Sequence, residues 1–339
     1  MGHGGKNSKF VYYAESYLSL CVPHFIQAQR LSLLKGRVSR RKDYAEIMER
    51  VGYYCKLVPG SFAESSCQAR AGCSPAPDRE KMIYLRDQKI KSPKVYVLDS
   101  FRYARFFPMS LKWCLCAGDV THVPSIPSIV KSRPISGDNS NSVLMKLDKV
   151  RHFTFVRDKK DWKEKLDMVI FRGAIGQMEG NCYKKNRYDF LARYFNHPMC
   201  NLGEVPENGI CVNNEWCKPK ISIMEHLDYK FIMALEGNDV ASNLKWIMSS
   251  HSIAVMPRPR YETWFMEGRL IPDYHYIEIR PDYSDLEDKL KWYIGHPEKA
   301  MEIIRHANEY VKQFRNSRRE RIVSLLVLDK YFRCTGQQP

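Results

Sequence analysis

The sequence predicts an α/β fold in which parallel strands alternate with helices. Two short apolar runs, Lys230–Leu235 and Ser252–Met256, have the length and composition of buried strands. Between them, apolar residues recur at helical spacing from Val240 to Met248, and a third strand-like run ends at Ile279. This alternation is typical of a parallel sheet with helices on its faces, and such sheets bind ligands at the carboxyl ends of their strands.

Polar side chains follow both strands at these carboxyl ends. A helix that begins after the first strand presents N–H groups and a partial positive charge, which stabilise a phosphate. We therefore interpret the two loops as a cradle for a nucleotide sugar, although each residue taken singly fits a cap, a turn or a solvated helix position. The residues after the first strand are Glu236, Asp239, Ser242, Asn243 and Lys245, and Glu262 follows the second.

The start of the chain predicts helices interrupted at Pro23. The run Lys9–Val38 is rich in aromatic residues and ends in a basic cluster. An amphipathic helix with a basic end is typical of segments that lie on an anionic membrane surface. The same pattern fits a helix packed on the protein's own core through side chains such as Phe10 and Tyr17, and we favour core packing.

Two further strands are expected in the first half of the chain. Lys94–Leu98 is a short apolar run, and Leu111–Ala117 is predicted as a central strand that leads to Asp119. The loop that follows carries Lys131 and Arg133, and an ordered loop rich in cations indicates a bound anion. The alternative is a solvated loop whose charges have no partner.

A further strand is expected at Asp167–Phe171, and it is followed by Arg172 and Gly173. Glycine lets the backbone approach a phosphate closely, and arginine can bind a phosphate with two hydrogen bonds. We therefore expect this strand end to contact an anionic ligand. Helices are expected at Tyr44–Leu57, Lys185–Phe195, Asp285–Ile294, Glu298–Phe314 and Arg319–Lys330.

Composition indicates a globular protein with an anionic partner. The chain has 339 residues, 44% of them hydrophobic, which is enough for two domains with cores. Its formal charge of +16 fits phosphorylated sugars, acidic lipid headgroups and nucleic acid alike. The cations are dispersed, and no helix-turn-helix, zinc-finger or RNP pattern occurs. A basic nucleic-acid-binding protein is therefore the weaker alternative, and we expect no nucleic-acid partner.

Hydropathy and cysteine usage predict a cytoplasmic protein. No apolar run of about 18 residues occurs, and the first ten residues are polar. The eleven cysteines are scattered, odd in number and without a CxxC pair, so we expect reduced thiols. Cys200, Cys211 and Cys217 form a weak candidate for a zinc site, because they lack the paired spacing of such sites.

Several long segments carry a resemblance to a known family. They include GDVTHVPSIPSIVKSRPI from Gly118, FRGA from Phe171 and YKFIMALEGNDVASNLKWIMSSHSIAVMPRPRYETWFMEGRLIP from Tyr229. With these segments the chain resembles the bacterial lipopolysaccharide core glycosyltransferases of the LpsA type. These are members of glycosyltransferase family 90, which also contains the Rumi-type protein O-glucosyltransferases. The resemblance covers almost the whole chain.

The resemblance implies a GT-B fold, in which two Rossmann-like domains face a central cleft. We place an N-terminal acceptor-side domain at residues 1–160 and a nucleotide-sugar-binding domain at residues 161–315. Residues 316–339 are expected to form a C-terminal helix that packs back on the first domain.

The resemblance also implies the reaction. A hexose, glucose or galactose, passes from a UDP-sugar to a sugar of the lipopolysaccharide or lipooligosaccharide core, with inversion and without a metal or cofactor. The chain contains no Asp-x-Asp, the manganese-binding pattern of the other glycosyltransferase architecture. The acceptor is a lipid-linked oligosaccharide, which places the protein at the inner face of the inner membrane, in peripheral contact with an anionic surface.

The expected mechanism assigns roles to particular residues. Because negative charge grows on the diphosphate as the sugar leaves, fixed cations and helix starts lower the barrier. Alignment with the family's Asp-containing stretch implies that Asp119 is the base for the acceptor hydroxyl, with His122 as the alternative. A non-catalytic carbohydrate-binding protein on the same fold remains the second alternative. The diphosphate-binding candidates are Arg172, Gly173, Ser242, Asn243, Lys245, Lys131 and Arg133, and the candidates for ribose and sugar hydroxyls are Glu236, Asp239 and Glu262.

Overall fold

A computed structural model describes residues 8–60, 81–176 and 183–339. Most of the predicted loop between Pro59 and Asp78 lies outside these residues. The helices are α1 (Lys9–Leu20), α2 (His24–Val38), α3 (Tyr44–Tyr54), α4 (Lys94–Ala104), α5 (Lys149–His152), α6 (Lys185–Tyr194), α7 (Ile223–His226), α8 (Leu244–Ile247), α9 (Leu286–Gly295), α10 (Pro297–Lys312) and α11 (Ser317–Cys334). The strands are β1 (Ile83–Tyr84), β2 (Lys112–Trp113), β3 (Ser128–Val130), β4 (Ser132–Pro134), β5 (Ser142–Leu144), β6 (Leu166–Gly173), β7 (Cys200–Glu204), β8 (Tyr229–Met233), β9 (Ile253–Met256), β10 (Tyr261–Thr263) and β11 (Ile277–Glu278).

These elements fall into two compact units. The sheet unit comprises Val150–Pro259 and Glu267–Gln313. The helical unit comprises Lys9–Lys149, Arg260–Met266 and Phe314–Pro339. The short segment Arg260–Met266 joins the helical unit because its strand β10 pairs with β4. The predicted domain boundaries placed this segment in the second domain, residues 161–315.

The sheet unit is built on a parallel sheet of five strands in the order β11-β9-β8-β6-β7. Numbered along the chain from β6, this is the 2-1-3-4-5 order of doubly wound α/β folds. The winding direction reverses between the first and third strands, which are β6 and β8. The prediction of a parallel α/β sheet is therefore confirmed for this unit.

Continuous apolar sequences account for the central strands. β9 is buried at all its positions, and Val169, Phe231 and Val255 contribute to a core that helices α6 and α9 complete with Phe190 and Leu290. Strands buried on both faces have this composition.

The helix predicted over Val240–Met248 is shorter than expected. Only Leu244–Ile247 is helical, which is about one turn. The side-chain amide of Asn243 donates to the carbonyl of Met233 at 2.8 Å, and this bond holds the preceding segment as a loop against the end of β8.

In the helical unit the described strands form two-stranded sheets: β1 with β2, β3 with β5, and β4 with β10. The strand predicted at Lys94–Leu98 was wrong, since these residues begin helix α4. The buried face of this helix continues to Ser100 and Ala104. A short apolar run alone does not distinguish a strand from a helix. The described part of this unit therefore shows no second Rossmann-like sheet.

A buried charged cluster lies between the helices of this unit. The carboxylate of Glu320 on α11 accepts hydrogen bonds from Arg50 at 2.7 Å, Lys146 at 2.8 Å and the indole of Trp264 at 2.7 Å. The ring of Trp264 stacks on Tyr54, with 3.9 Å between centroids. These contacts tie α11 to α3.

Cys211 and Cys217 form a disulfide, so the expectation of reduced thiols was wrong for this pair. The carboxylate of Glu204 accepts from the backbone amides of Val212 and Asn213, which folds the loop that carries the disulfide. Cys200 stands apart from it. Among the described residues no group of three metal-ligating side chains is placed to hold an ion, and Cys67, Cys73 and Cys182 lie outside them.

Within the described ranges, every helix is too short or too polar to cross a bilayer.

Candidate functional site

The carboxyl ends of β6 and β8 form the edge of the sheet where a ligand is expected. In doubly wound sheets, ligands bind at the point where the winding direction reverses. At this point β6 ends at Gly173 and β8 ends at Met233. The chain continues through Ala174 on one side and through Leu235 and Glu236 on the other, and we call these five residues and the start of α6 the switch-point edge.

Arg187 bridges the two strand ends. It lies in the first turn of α6, and its guanidinium donates to the carbonyl oxygens of Ala174 at 2.9 Å, Leu235 at 3.0 Å and Glu236 at 3.2 Å. Among the described residues, no carboxylate forms an ion pair with it. Burial lowers the pKa of Arg187 to about 10, so the side chain is charged at neutral pH. A desolvated cation held by carbonyl oxygens provides positive potential for an anion.

Two glycines leave room for this guanidinium. A Cβ atom at Gly173 would lie 2.7 Å from the ring of Phe171 and 3.3 Å from Nη1 of Arg187. A Cβ atom at Gly237 would lie 3.1 Å from Nη2 of Arg187. A side chain at either glycine would therefore displace the arginine or the ring. The glycine predicted to let a phosphate approach is thus also needed for packing.

Helix α6 begins at the same edge. It has ten residues, and the amide nitrogen of Lys184 before it donates to the carbonyl of Ile175 at 2.7 Å. The side-chain amide of Asn186 donates to the carbonyl of Glu236 at 3.0 Å. A helix of this length presents N–H groups and a partial positive charge at its start. The helix start predicted after β8 belongs to the single turn α8, so α6 supplies the stronger dipole.

Arg172 lies against strand β7. It pairs with Gly203 in the sheet, but its guanidinium donates to the carbonyl and side-chain oxygens of Asn201 at 2.9 and 2.7 Å. Asn201 precedes Gly203 by two residues, so the side chain leans back from the carboxyl end. Its Nε is buried without a hydrogen-bond partner in the described residues, and burial lowers the pKa of Arg172.

The other polar candidates of the sheet unit lie in the loop after β8. Glu236 is partly buried at the switch-point edge, Asp239 is buried, and Ser242 is exposed directly before α8. Asn243 is occupied by its hydrogen bond to Met233. The loop therefore brings Glu236 to Arg187 by its carbonyl group.

Lys245 lies inside the sheet unit. Its side chain is fully buried and forms an ion pair with the buried carboxylate of Glu267. A diphosphate would have to replace Glu267 to contact this ammonium group. The geometry therefore favours a structural role for Lys245 instead of the predicted contact with a diphosphate.

In the helical unit, two side chains donate to the carboxylate of Asp119. Lys131 donates to its Oδ1 in an ion pair, and the hydroxyl of Tyr96 donates to the same oxygen at 3.1 Å. The hydroxyl of Ser132 donates to the carbonyl of Val120 at 2.9 Å, which fixes the backbone beside Asp119. The side chain of Asp119 keeps 15% of its surface exposed. It can accept a proton while its position is held.

Arg133 and Glu262 form a second buried pair in this unit, with 2.8 Å between Nε and Oε1. The arginine also donates to the carbonyls of Tyr53 and Ser142, and the tyrosine hydroxyl donates to Glu262. Because these residues face each other across β4 and β10, the pair stabilises that short sheet. The geometry favours a structural role for both. His122, the alternative base, is exposed.

Comparisons with known proteins show the family of this chain. The family model of glycosyl transferase family 90 matches residues 145–331. The chain is 40% identical over 242 residues to the O-glucosyltransferase LpsA of Dichelobacter nodosus, which covers 71% of this chain and 73% of that protein. The chain belongs to glycosyl transferase family 90. It is also 27% identical over 92 residues to Protein O-glucosyltransferase 2 of Danio rerio, covering 27% of this chain and 18% of that protein.

Membership of family 90 makes this protein a glycosyltransferase, and it confirms the resemblance found in the sequence. The matched region contains the whole switch-point edge, with Arg172 and Arg187. Asp119 precedes that region. The family match therefore supports the sheet unit most directly.

The sequence alone did not indicate Arg187 as a candidate site residue. Arg187 lies in a predicted helix, where a charged side chain is ordinarily solvated, and no short pattern marks it. The available signal was its place in the first turn of the helix that follows the strand ending in Arg172 and Gly173. In a doubly wound fold that turn lies at the ligand edge.

Proposed function

We propose that this glycosyltransferase transfers a glucosyl group from a UDP-sugar whose diphosphate binds at the switch-point edge. The observation that carries the proposal is the guanidinium of Arg187, which is partly buried, bonded to three carbonyl oxygens and without a carboxylate ion pair among the described residues. The names of the two O-glucosyltransferase relatives favour glucose as the donor sugar. Galactose is the second candidate.

The proposed donor site stabilises the leaving group. As the bond from the anomeric carbon to the diphosphate oxygen breaks, negative charge grows on the β-phosphate. Arg187 and the N–H groups at the start of α6 are held before the reaction, so they stabilise this charge without reorganising. In this proposal the fixed cation takes the role that a metal ion has in other glycosyltransferases, and no metal or cofactor is required.

Asp119 is the proposed base. In an inverting displacement, the acceptor hydroxyl attacks the face opposite the leaving group and loses its proton to a base within hydrogen-bond reach. The hydroxyl of Tyr96 and the ammonium group of Lys131 share one oxygen and so fix the orientation of the carboxylate.

The remaining roles follow the family. We propose a sugar of a lipid-linked lipopolysaccharide or lipooligosaccharide core as the acceptor, reached at the inner face of the inner membrane. The charge of +16 supports an acceptor that carries phosphate groups. We propose the sheet unit as the donor domain. Glu236 and Ser242, which lie at or near the switch-point edge, are the proposed contacts to donor hydroxyls.

A panel of UDP-sugars tests the proposal. A ligand that binds only the folded state raises the unfolding temperature, so UDP and UDP-glucose should stabilise the protein, whereas CMP and free glucose should not. Transfer is then measured as release of UDP in the presence of purified lipooligosaccharide. Failure of UDP and every UDP-sugar to stabilise the protein would contradict the assignment of the donor.

A further inference from the structure

The first two helices turn large apolar side chains to solvent. Phe10 is 82% exposed, Tyr17 is 44% exposed and Leu18 is 69% exposed. Residues seven or eight apart lie on one face of a helix, so these three form a stripe along α1. Phe25 at the start of α2 is also exposed, at 64%. We call these four residues the apolar stripe.

The opposite face of α1 packs on the protein. Ser16 is buried, and its hydroxyl bonds back to the carbonyl of Tyr12 at 2.7 Å. The hydroxyl of Tyr12 donates to the carbonyl of Val95 at 3.3 Å, where α1 contacts α4. An ordinary surface helix buries its large apolar side chains, whereas α1 leaves Phe10 and Leu18 exposed. The expectation that Phe10 and Tyr17 pack on the core was therefore wrong.

The stripe is held in place at the turn between α1 and α2. The guanidinium of Arg105 donates to the carbonyls of Ser19 at 3.2 Å and Val22 at 2.9 Å, at the end of α1 and in the turn. The ring of His24 bonds to the carbonyl of Phe107 at 2.8 Å. Both helices are thus fixed to the helical unit, and the exposure of the stripe does not come from a detached segment.

The same segment of the chain is strongly basic. From Lys9 to Lys42 the chain has seven basic residues and one acidic residue, Glu15. Arg30 and Arg37 are exposed, make no ion pair with any described residue and, being seven apart, lie along one line of α2. Leu33 lies between them and is 58% exposed. Apolar side chains flanked by arginines fit the boundary between phospholipid headgroups and acyl chains.

We propose that the apolar stripe, with Arg30 and Arg37, docks this protein on the surface of an anionic phospholipid bilayer. The four apolar side chains enter the headgroup region, and the arginines bind lipid phosphates. The inference rests on the proposed function only in that it names the surface at which a lipid-linked acceptor is met. A second copy of the chain is the competing occupant, but the excess of basic residues on this surface opposes its pairing with itself.

Vesicle sedimentation of the full chain tests the docking. The protein should sediment with vesicles of phosphatidylcholine containing a third of phosphatidylglycerol, and much less with phosphatidylcholine alone. Leu18→Ser with Phe25→Ser should weaken partitioning roughly tenfold or more, because both side chains are already exposed in the folded protein and lose only their burial in lipid. Leu166→Ser with Ile271→Ser removes two other exposed apolar side chains, which are 50% and 54% exposed, and should have no effect.

The charge contribution has its own matched pair of variants. Arg30→Gln with Arg37→Gln should weaken binding to the anionic vesicles roughly tenfold and reduce its dependence on salt. Lys89→Gln with Lys91→Gln removes the same charge from exposed positions of the same unit and should leave binding nearly unchanged. Equal losses in both pairs would show that total charge alone is responsible and would overturn the proposal.

Two outcomes separate this inference from the proposed function. If the wild-type protein stays in solution with anionic vesicles but transfers sugar to a delipidated acceptor, the docking surface is disproved and the transferase assignment stands. If the protein binds vesicles through the stripe but binds no UDP-sugar, the docking surface stands and the proposed donor is disproved. A dimer in sedimentation equilibrium that Leu18→Ser with Phe25→Ser dissociates, without vesicle binding, would assign the stripe to a second copy.

Discussion

At the scale of single residues, the partner of each cationic side chain distinguishes a structural role from a role in ligand binding. Arg133 and Lys245 each face a buried carboxylate, whereas Arg187 faces carbonyl oxygens. The sequence shows which residues are cations but not which carboxylates lie beside them, because Arg133 and Glu262 are 129 residues apart. For this reason the kind of site was predictable, while the particular arginine was not.

Asp119→Asn is expected to reduce turnover by about 100-fold or more and to leave the affinity for UDP unchanged. The amide keeps the size of the side chain and an oxygen that accepts the hydrogen bond from Tyr96. It cannot take the proton from the hydroxyl of the sugar acceptor. Rates of UDP release and calorimetric titration of UDP measure the two quantities. Tyr96→Phe is the control, since it keeps the carboxylate and its ion pair with Lys131. Turnover of Asp119→Asn within a fewfold of the wild type would exclude Asp119 as the base.

At the scale of elements, the parallel sheet and several helices of both units were predictable, whereas the short strands of the helical unit were not. Buried parallel strands such as β8 and β9 have continuous apolar sequences bounded by turn residues, which are local signals. In the helical unit, strands of two or three residues are set by distant partners, as when β10 pairs with β4. Lys94–Leu98 has the composition of a strand, yet tertiary contacts place it in α4.

Glu320→Gln should destabilise the protein by about 3 kcal/mol at pH 7, because it leaves Arg50 and Lys146 buried without their shared carboxylate. Burial opposes the charge of Glu320, but Lys146 and then Arg50 outweigh it and hold the pKa of this carboxyl below its ordinary value. Its contribution is therefore present above the ordinary glutamate pKa of about 4.3 and is lost as pH falls further.

Urea unfolding of Glu320→Gln and wild type at pH 7 and pH 4 checks this expectation, and the difference should narrow at the lower pH. Glu309→Gln is the control, since that carboxylate pairs with Lys312 at the surface, where both side chains are 67% exposed. It should cost less than about 0.5 kcal/mol. A difference that stays constant between the two pH values would contradict the role of the buried charge.

At the scale of the whole molecule, stability should fall in mild acid through His275. Its Nδ1 accepts a hydrogen bond from the amide of Ile271 at 2.9 Å, so the ring must stay neutral. Burial and the neighbouring His306 lower the pKa of His275 from 6.5 to about 4. Between these values the unfolded chain binds a proton that the native ring does not bind, so unfolding becomes easier as pH falls.

His275→Asn keeps an acceptor for the amide of Ile271 without a titrating ring. We expect the free energy of unfolding of this variant to fall less between pH 7 and pH 5 than that of the wild type. Denaturant unfolding at the two pH values measures the difference, and His296→Asn, at an exposed position, serves as the control. Parallel losses in the wild type and His275→Asn would show that other groups govern the acid response.

The account as a whole depends on an anion site at the end of β6 and β8. Its sheet order, the start of α6, the two glycines and Arg187 belong to one unit and converge on one edge. Family 90 membership supplies the reaction class. What joins the two is the claim that the diphosphate of the donor meets Arg187.

Calorimetric titration of UDP into Arg187→Gln tests this claim most directly, beside Arg193→Gln on the exposed side of the same helix. Thermal unfolding first establishes that each variant is folded, and Arg187→Lys restores the charge if the glutamine variant is not. We predict that loss of this guanidinium weakens UDP binding about tenfold to a hundredfold, with no change for Arg193→Gln. A folded Arg187→Gln that binds UDP as tightly as the wild type would contradict the account.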